Sequence, residues 1–359
     1  MDAGWYADGS WWDGVGEWLP SEKRFPGGIA EVTGRIRERG MVPGLWLEPE
    51  VIGVRSPLAA TLADEAFIQR AGVRITEHGR HLLDLRHPEA RAHLDAVVDR
   101  LVNEYDIGFI KMDENTMTGP GSDLYGLAPG HGLLEHARAL LTWIDGVQKR
   151  HPELLIEACA SGAMRMDYAM LSRLHMQSTS DQQNPIRYAT IAAAAPASIL
   201  PEQAGNWGYP QAGMSDEMRT FCLVNGMLGR MYLSGYLNRM APHEVAAVRE
   251  AVTAHRTVLG DIRDRLPFWP LGLPAWDAGW TSLGLYSGDH AYVSVWRRAG
   301  DAAAALHLPW AAHRDIEVTP FFPADANGWS WGWDAQSAML TVSAPTLEPS
   351  ARVLEVRTL

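Results

Sequence analysis

The chain of 359 residues has only two cysteines, Cys159 and Cys222, too few for a disulfide framework, and no Cys/His cluster falls at structural-zinc spacing. Basic residues are in deficit. The 31 Lys plus Arg against 43 Asp plus Glu leave a net charge of -12 and a pI near 5.5, which argues against nucleic acid and anionic membranes as partners; solubility is the plain explanation of the charge. No apolar run reaches membrane-span length, and the N-terminus lacks a basic segment followed by an apolar one. The chain therefore reads as cytoplasmic, with no membrane partner. Internal repeats and low-complexity tracts are absent too, and the 13 His residues are scattered, so the sequence calls for neither a metal nor a cofactor. What it has in quantity is tryptophan, 15 residues, within 47% hydrophobic and 21% charged composition. That is ordinary globular material, large enough for a barrel and one smaller domain. Tryptophan packs cores, and its faces also stack on the apolar faces of sugar rings.

Apolar spacing orders the elements. Ile29, Val32 and Ile36 recur at helical spacing up to Gly40, and Met41 to Leu47 fits a buried strand. Pro88 opens a second helix to Tyr105, with Leu94, Val97, Val98, Leu101 and Val102 on one face, before a strand over Ile107 to Met112. A third helix over Leu133 to Lys149 precedes a strand at Leu154 to Ala158. Further strands are predicted at Leu82 to Leu85, Leu174 to Thr179, Ala197 to Leu200 and Gly229 to Leu233. Strands alternating with helices imply a parallel sheet, and their number favours an α/β fold of the (β/α)8 TIM barrel kind over residues 1–263. After residue 264 the texture changes to short strands, Ser282 to Tyr286, Ala291 to Arg297, Ala303 to Leu308, Ile316 to Phe321, Met339 to Val342 and Ala351 to Val356, separated by Gly, Asp and Pro. These predict a C-terminal antiparallel β-sandwich domain over 264–359.

Two short apolar runs end in a carboxylate: Phe109-Ile110-Lys111-Met112-Asp113 and Met176-Gln177-Ser178-Thr179-Ser180-Asp181. A residue just past the C-terminal end of a barrel strand lies on the face where active sites are built. Two such carboxyls suit glycoside hydrolysis, in which one attacks or activates water and the other protonates the leaving oxygen. An Asp after a strand is also a common helix cap or turn former.

The motifs around these residues resemble those of the family 36 glycoside hydrolases, the bacterial α-galactosidases. Met1-Asp2-Ala3-Gly4-Trp5 is similar to the family's first-strand D-D-G-W or D-A-G-W, and Gly44-Leu45-Trp46-Leu47-Glu48-Pro49-Glu50 to its G-L-W-x-E-P-E. Lys111-Met112-Asp113-Glu114-Asn115 resembles K-W-D-M-N, Glu157 to Asp167 resembles E-S-C-S-S-G-G-G-R-F-D, and Thr179-Ser180-Asp181 resembles T-S-D. The resemblance implies a retaining exo-acting α-glycosidase that releases terminal α-galactosyl residues from oligosaccharides, with Asp113 as nucleophile and Asp181 as general acid/base. Retention requires those carboxyls roughly 5–5.5 Å apart. Asp113 has to stay ionised, with Lys111 two residues earlier on the same strand face to favour the charge, and Asp181 has to enter the reaction protonated. By the same resemblance Asp2 accepts from galactose hydroxyls, Arg80, Lys111 and Asn115 are hydroxyl ligands, and Cys159 with Gly162 borders the sugar's 2-position. Trp46 is an aromatic wall or a piece of barrel core. Cys159 fits a small buried apolar group better than a nucleophile. Arg74 is the alternative to Arg80. The resemblance also allows a homo-oligomer.

Departures are concentrated near the sugar. Met112 stands for a Trp, Thr116 for an Arg, Ser178 for a Trp, and Gln182 for a second carboxylate; Ala163 and Met164 replace two glycines. The family also carries a β-sandwich before the barrel, and its first strand starts several residues ahead of the D-x-G-W motif. The chain thus reads as a fragment whose activity is weakened, and a non-catalytic sugar-binding relative or a transglycosidase are its alternatives.

Overall fold

A computed structural model describes residues 1–117, 119, 121–126, 128–345 and 348–359. The chain divides into two compact units, Met1–Met176 and Gln177–Leu359.

In the first unit α1 (Ile29–Arg37) leads to β1 (Gly44–Leu47), α2 (Pro88–Asn103) to β2 (Phe109–Met112), and α3 (Pro129–Arg150) to β3 (Leu155–Ala158). The helices lie where apolar periodicity predicted them. Pro88 opens α2 where a missing N–H costs nothing, the His87 ring accepts from Glu89 N–H, and Leu94, Val97, Val98 and Leu101 are buried. β1 pairs parallel with β2, and β2 with β3, which sets Trp46, Lys111 and Glu157 side by side. Met1 lies along the other edge of β1: its amino group donates to Gly44 O and its carbonyl accepts from Trp46 N–H.

One predicted strand of this unit is displaced. The segment at Leu82 to Leu85 is a strand only over Arg80–Leu82, and it pairs antiparallel with Val51–Gly53 and Thr76–Glu77. The chain turns away afterwards because Asp84, wholly buried, accepts from the Arg86 N–H and from its guanidinium, drawing the backbone into α2.

In the second unit β4 (Met176–Ser178), whose first residue belongs to the first unit, α4 (Pro185–Ala194), β5 (Ala204–Gly208), α5 (Asp216–Asn225), β6 (Arg230–Leu233) and α6 (Pro242–Asp261) continue the alternation, with β4, β5 and β6 parallel. The strand predicted at Ala197 to Leu200 is absent; that stretch opens in a 3-10 turn, and the strand follows at Ala204–Gly208. Its sequence, Ala-Gly-Asn-Trp-Gly, is no apolar run. Gly205 is required because a Cβ there would lie 2.4 Å from Tyr232 Cζ on β6. Six parallel strands are present among the described residues, where eight were predicted.

The antiparallel strands follow: β7 (Leu266–Phe268), β8 (Trp280–Ser287), β9 (His290–Arg297), β10 (Ala303–His307), β11 (Ile316–Phe322), β12 (Ser330–Asp334), β13 (Met339–Ser343) and β14 (Ser350–Thr358). They form two sheets, ordered β7-β8-β9-β14-β11 and β10-β13-β12. Val293, Val295, Leu306, Leu340, Val342, Leu354 and Val356 join the two inner faces in one apolar core, as a sandwich requires. No described helix is long and apolar enough to cross a membrane.

Candidate active site

The nucleophile candidate is held in place by its strand. Side chains alternate along β2, so Lys111 and Asp113 share a face while Ile110 and Met112 are buried behind it. Asp113 is only 5% exposed, yet both of its oxygens are satisfied. Trp46 Nε1 donates to Oδ2 at 2.9 Å, and the backbone N–H groups of Glu114 and Ser161 donate to Oδ1 at 2.8 and 3.2 Å. Burial alone would raise the pKa of this carboxyl; the bonds from Trp46 and Asn115, the Lys111 charge and the Cys159 contact outweigh burial and hold it below the usual carboxylate value. Asp113 is therefore an anion at neutral pH.

A row of side chains runs beneath it. Trp46, Lys111 and Glu157 line a cavity of about 250 Å³ together with Met1, Asp2, Gly44, Leu45 and Phe109. Burial lowers the Lys111 pKa, but the negative charge of Asp2 above all, with Glu157 and Asp113, more than offsets it and keeps the ammonium protonated. Lys111 Nζ lies 3.4 Å from the Asp2 carboxylate, whose other oxygen accepts from Ala3 N–H. Cys159 is buried, with its sulfur accepting from the Gly162 N–H at 3.4 Å. Trp46 lines the cavity, and its ring packs among Tyr6, Trp11 and Trp18.

Asn115 and Arg80 meet on Glu48. Asn115 donates its backbone N–H to Glu48 Oε1 at 2.7 Å and its side-chain amide to Oε2 at 3.4 Å. Arg80 Nη1 donates to Glu48 Oε2 at 2.5 Å, its Nε donates to Trp12 O, and its guanidinium stacks 3.4 Å above the Trp12 ring. Both Arg80 and Glu48 have no exposed surface, so Arg80 stands behind the pocket. Arg74 pairs with Asp64 and stacks on Phe67, with Nη1 on Ala59 O. Met164 is 59% exposed.

The sequence carried Glu50, Glu157 and Ser161 only inside longer motifs, and it gave no role to His136, Arg165 or Glu114. Glu157 and Ser161 come from the strand and turn beside Asp113. Glu50 accepts from Arg165 Nη1 at 2.6 Å and from His136 Nε2 at 3.0 Å, and His136 Nδ1 accepts from Leu85 N–H, so this ring carries its proton on Nε2. Glu114, on the opposite face from Asp113, shares with them a cavity of about 180 Å³. Burial first, then the Glu50 charge, pushes the Glu114 pKa up to about 7. A hint was present in the Glu-Pro-Glu and Gly-Ala-Met-Arg stretches, but not the partners.

Asp181 follows β4 in the second unit and is exposed. Its flanks are tied down. The Thr179 hydroxyl lies 2.5 Å from the Tyr188 hydroxyl and within reach of Gly205 O and Asn206 Oδ1, while Trp207 Nε1 donates to Ser178 Oγ. Asn184 caps α4 by accepting from Ile186 and Arg187 N–H. Among the described residues no group of three or more His, Cys, Asp or Glu could hold a metal ion.

Parallel strands alternating with helices, acidic groups at strand ends and antiparallel sheets to follow define an α/β protein of the barrel class. The whole chain superposes on the GH36 α-galactosidase AgaA of Geobacillus stearothermophilus with a TM-score of 0.84 at 18% identity, covering 50% of that chain. A variant of AgaA in complex with raffinose matches over 100% of this chain and 51% of its own with a TM-score of 0.83 at 17% identity. The Melibiase family model matches residues 1–257, and the chain belongs to that family. Among curated relatives, the bifunctional alpha-galactosidase/sucrose kinase AgaSK of Mediterraneibacter gnavus is 27% identical over 318 residues, 85% of this chain and 32% of its own length. The alpha-galactosidase of Escherichia coli is 27% identical over 192 residues, 53% of this chain and 26% of its own. The chain thus spans about a third or less of these curated relatives.

Proposed function

We propose that the chain carries the catalytic residues of a retaining exo-α-galactosidase, with oligosaccharides ending in α-galactose as substrates. Residues 1–263 supply the catalytic barrel and 264–359 an accessory sandwich. The observation that carries the reading is the setting of Asp113: a nearly buried carboxylate that accepts from an indole N–H and two backbone amides, at the end of a strand whose inner face bears Lys111. An anion so placed attacks the anomeric carbon to give a covalent glycosyl-enzyme. Asp181 protonates the departing oxygen and then deprotonates water, which resolves the intermediate. Lys111, Asn115 and Asp2 are assigned to the sugar hydroxyls, with Trp46, Cys159 and Gly162 as walls. Arg80 is assigned to Glu48 and acts on the sugar only through Asn115. The names of the relatives and the raffinose bound to a structural neighbour support galactose as the sugar.

The test is hydrolysis of an aryl α-galactoside by the wild-type chain, Asp113→Ala and Asp181→Ala, with the anomer of the released sugar read by NMR. Asp113→Ala is expected to be inactive. Asp181→Ala is expected to lose most on substrates with poor leaving groups, which need the proton most. Turnover surviving in Asp113→Ala, or an inverted product, would overturn the mechanism.

A further inference from the structure

Ser161 is a serine where the backbone asks for glycine. Its φ is 46°, and the next residue, Gly162, has φ 95°, so two consecutive residues are left-handed in the tight turn after β3. A side chain is unfavourable in that region and glycine is not. The serine hydroxyl donates to Asn115 Oδ1 at 2.8 Å. Asn115 is bound on its other edge by Glu48, and a carboxylate only accepts, which fixes the amide nitrogen toward Glu48 and the amide oxygen toward Ser161. Asn115 is also one of the groups that hold the Asp113 carboxyl in its ionised form. Backbone strain retained at one residue, with its hydroxyl spent on a neighbour of the reacting group, points from geometry to function.

We propose that Ser161 is a positioning residue for the nucleophile, acting through Asn115: its hydroxyl donates to the amide oxygen and holds in place the amide, oriented by Glu48, that supports Asp113. The hydroxyl is the reason for a serine at this left-handed position. The inference rests on Asp113 as nucleophile and deepens that assignment; the Ser161 hydroxyl acts only through Asn115, beside the direct bond that the Ser161 N–H makes to Asp113 Oδ1.

Ser161→Gly separates strain from function. It removes the hydroxyl and relieves the backbone, so the melting temperature is expected to hold or rise while kcat/KM for an aryl α-galactoside falls roughly fivefold, the loss of about one hydrogen bond. The acid limb of the pH profile moves to higher pH, because a less supported Asp113 binds its proton more readily. Ser161→Ala is expected to match it in kcat/KM at a lower melting temperature. In an Asn115→Ala background neither substitution costs anything further, since the route through the amide is already cut. Unchanged kcat/KM and acid limb in Ser161→Gly, or full additivity with Asn115→Ala, would overturn the proposal. Carbon-13 NMR titration of the Asp113 carboxyl, assigned by its loss in Asp113→Asn, needs no turnover. If the wild-type chain proves inactive, the enzymatic reading fails, whereas an upward displacement of that titration in Ser161→Gly still supports the positioning role and its absence still refutes it.

Discussion

Substituting Arg80 by methionine tests the strongest electrostatic claim of the fold. Arg80 and Glu48 have no exposed surface and share a 2.5 Å contact, so the substitution keeps most of the side-chain volume over Trp12 but leaves a buried carboxylate without its cation. Breaking such a pair costs about 3–5 kcal/mol. For a unit of this size that corresponds to a fall in melting temperature of roughly 6–20 °C. The loss has a definite pH dependence. Burial already raises the Glu48 pKa, and Arg80 is the largest influence lowering it, so without Arg80 the folded-state value climbs further above the unfolded one, about 4.3. A carboxyl with a raised folded pKa prefers the protonated folded state: its stability is fully present below the unfolded pKa and is lost as pH rises through the folded pKa. Thermal melts from pH 4.5 to 8 should therefore show Arg80→Met closest to wild type at the acid end and falling away toward neutrality. The Glu48→Gln/Arg80→Met double variant, with no charge left to strand, should recover much of the loss and flatten the dependence. A single variant that melts within a degree or two of wild type at pH 7.5, with no extra slope, would refute the reasoning.

Two other perturbations follow from the same groups. Trp46→Phe removes the donor on Asp113 Oδ2; the carboxyl pKa rises, the acid limb of kcat/KM moves upward, and activity drops on the order of tenfold or more, since hydrogen bonds to charged groups are the stronger ones. An unmoved acid limb would count against Trp46 as a tuning group. Glu114, raised to about 7, contributes stability that is full below its unfolded pKa near 4.3 and is lost as pH climbs through 7, so Glu114→Gln should flatten the wild-type decline in melting temperature over that window. A decline equally steep in the variant would refute the shifted carboxyl.

The parts of the protein legible in the sequence were those governed by local rules. Helical spacing of Leu94, Val97, Val98 and Leu101 and a proline at residue 88 set α2 to within two residues at its end. The apolar run before Asp113 gave β2, and alternation gave the shared face of Lys111 and Asp113. Where strand identity depends on a partner, the signal failed. Ala204–Gly208 carries two glycines and an asparagine, and it is a strand because Gln177, Ser178, and Arg230 to Leu233 pair with it. The segment at Leu82 was apolar enough to be a strand but answered to Val51–Gly53, which is why it left the parallel sheet.

By itself the sequence determined the alternation of strands and helices, the antiparallel strands that follow, and the position of Asp113 and Asp181 just past strand ends, because hydrophobic period and turn residues act over a few neighbours. Only tertiary structure decided that Trp46, 67 residues away, donates to Asp113, that Ser161 reaches it from the turn after the neighbouring strand, and that Arg80 is spent on Glu48. Those facts follow from strand register, and register is set by the packing of distant segments rather than by the residues beside each one.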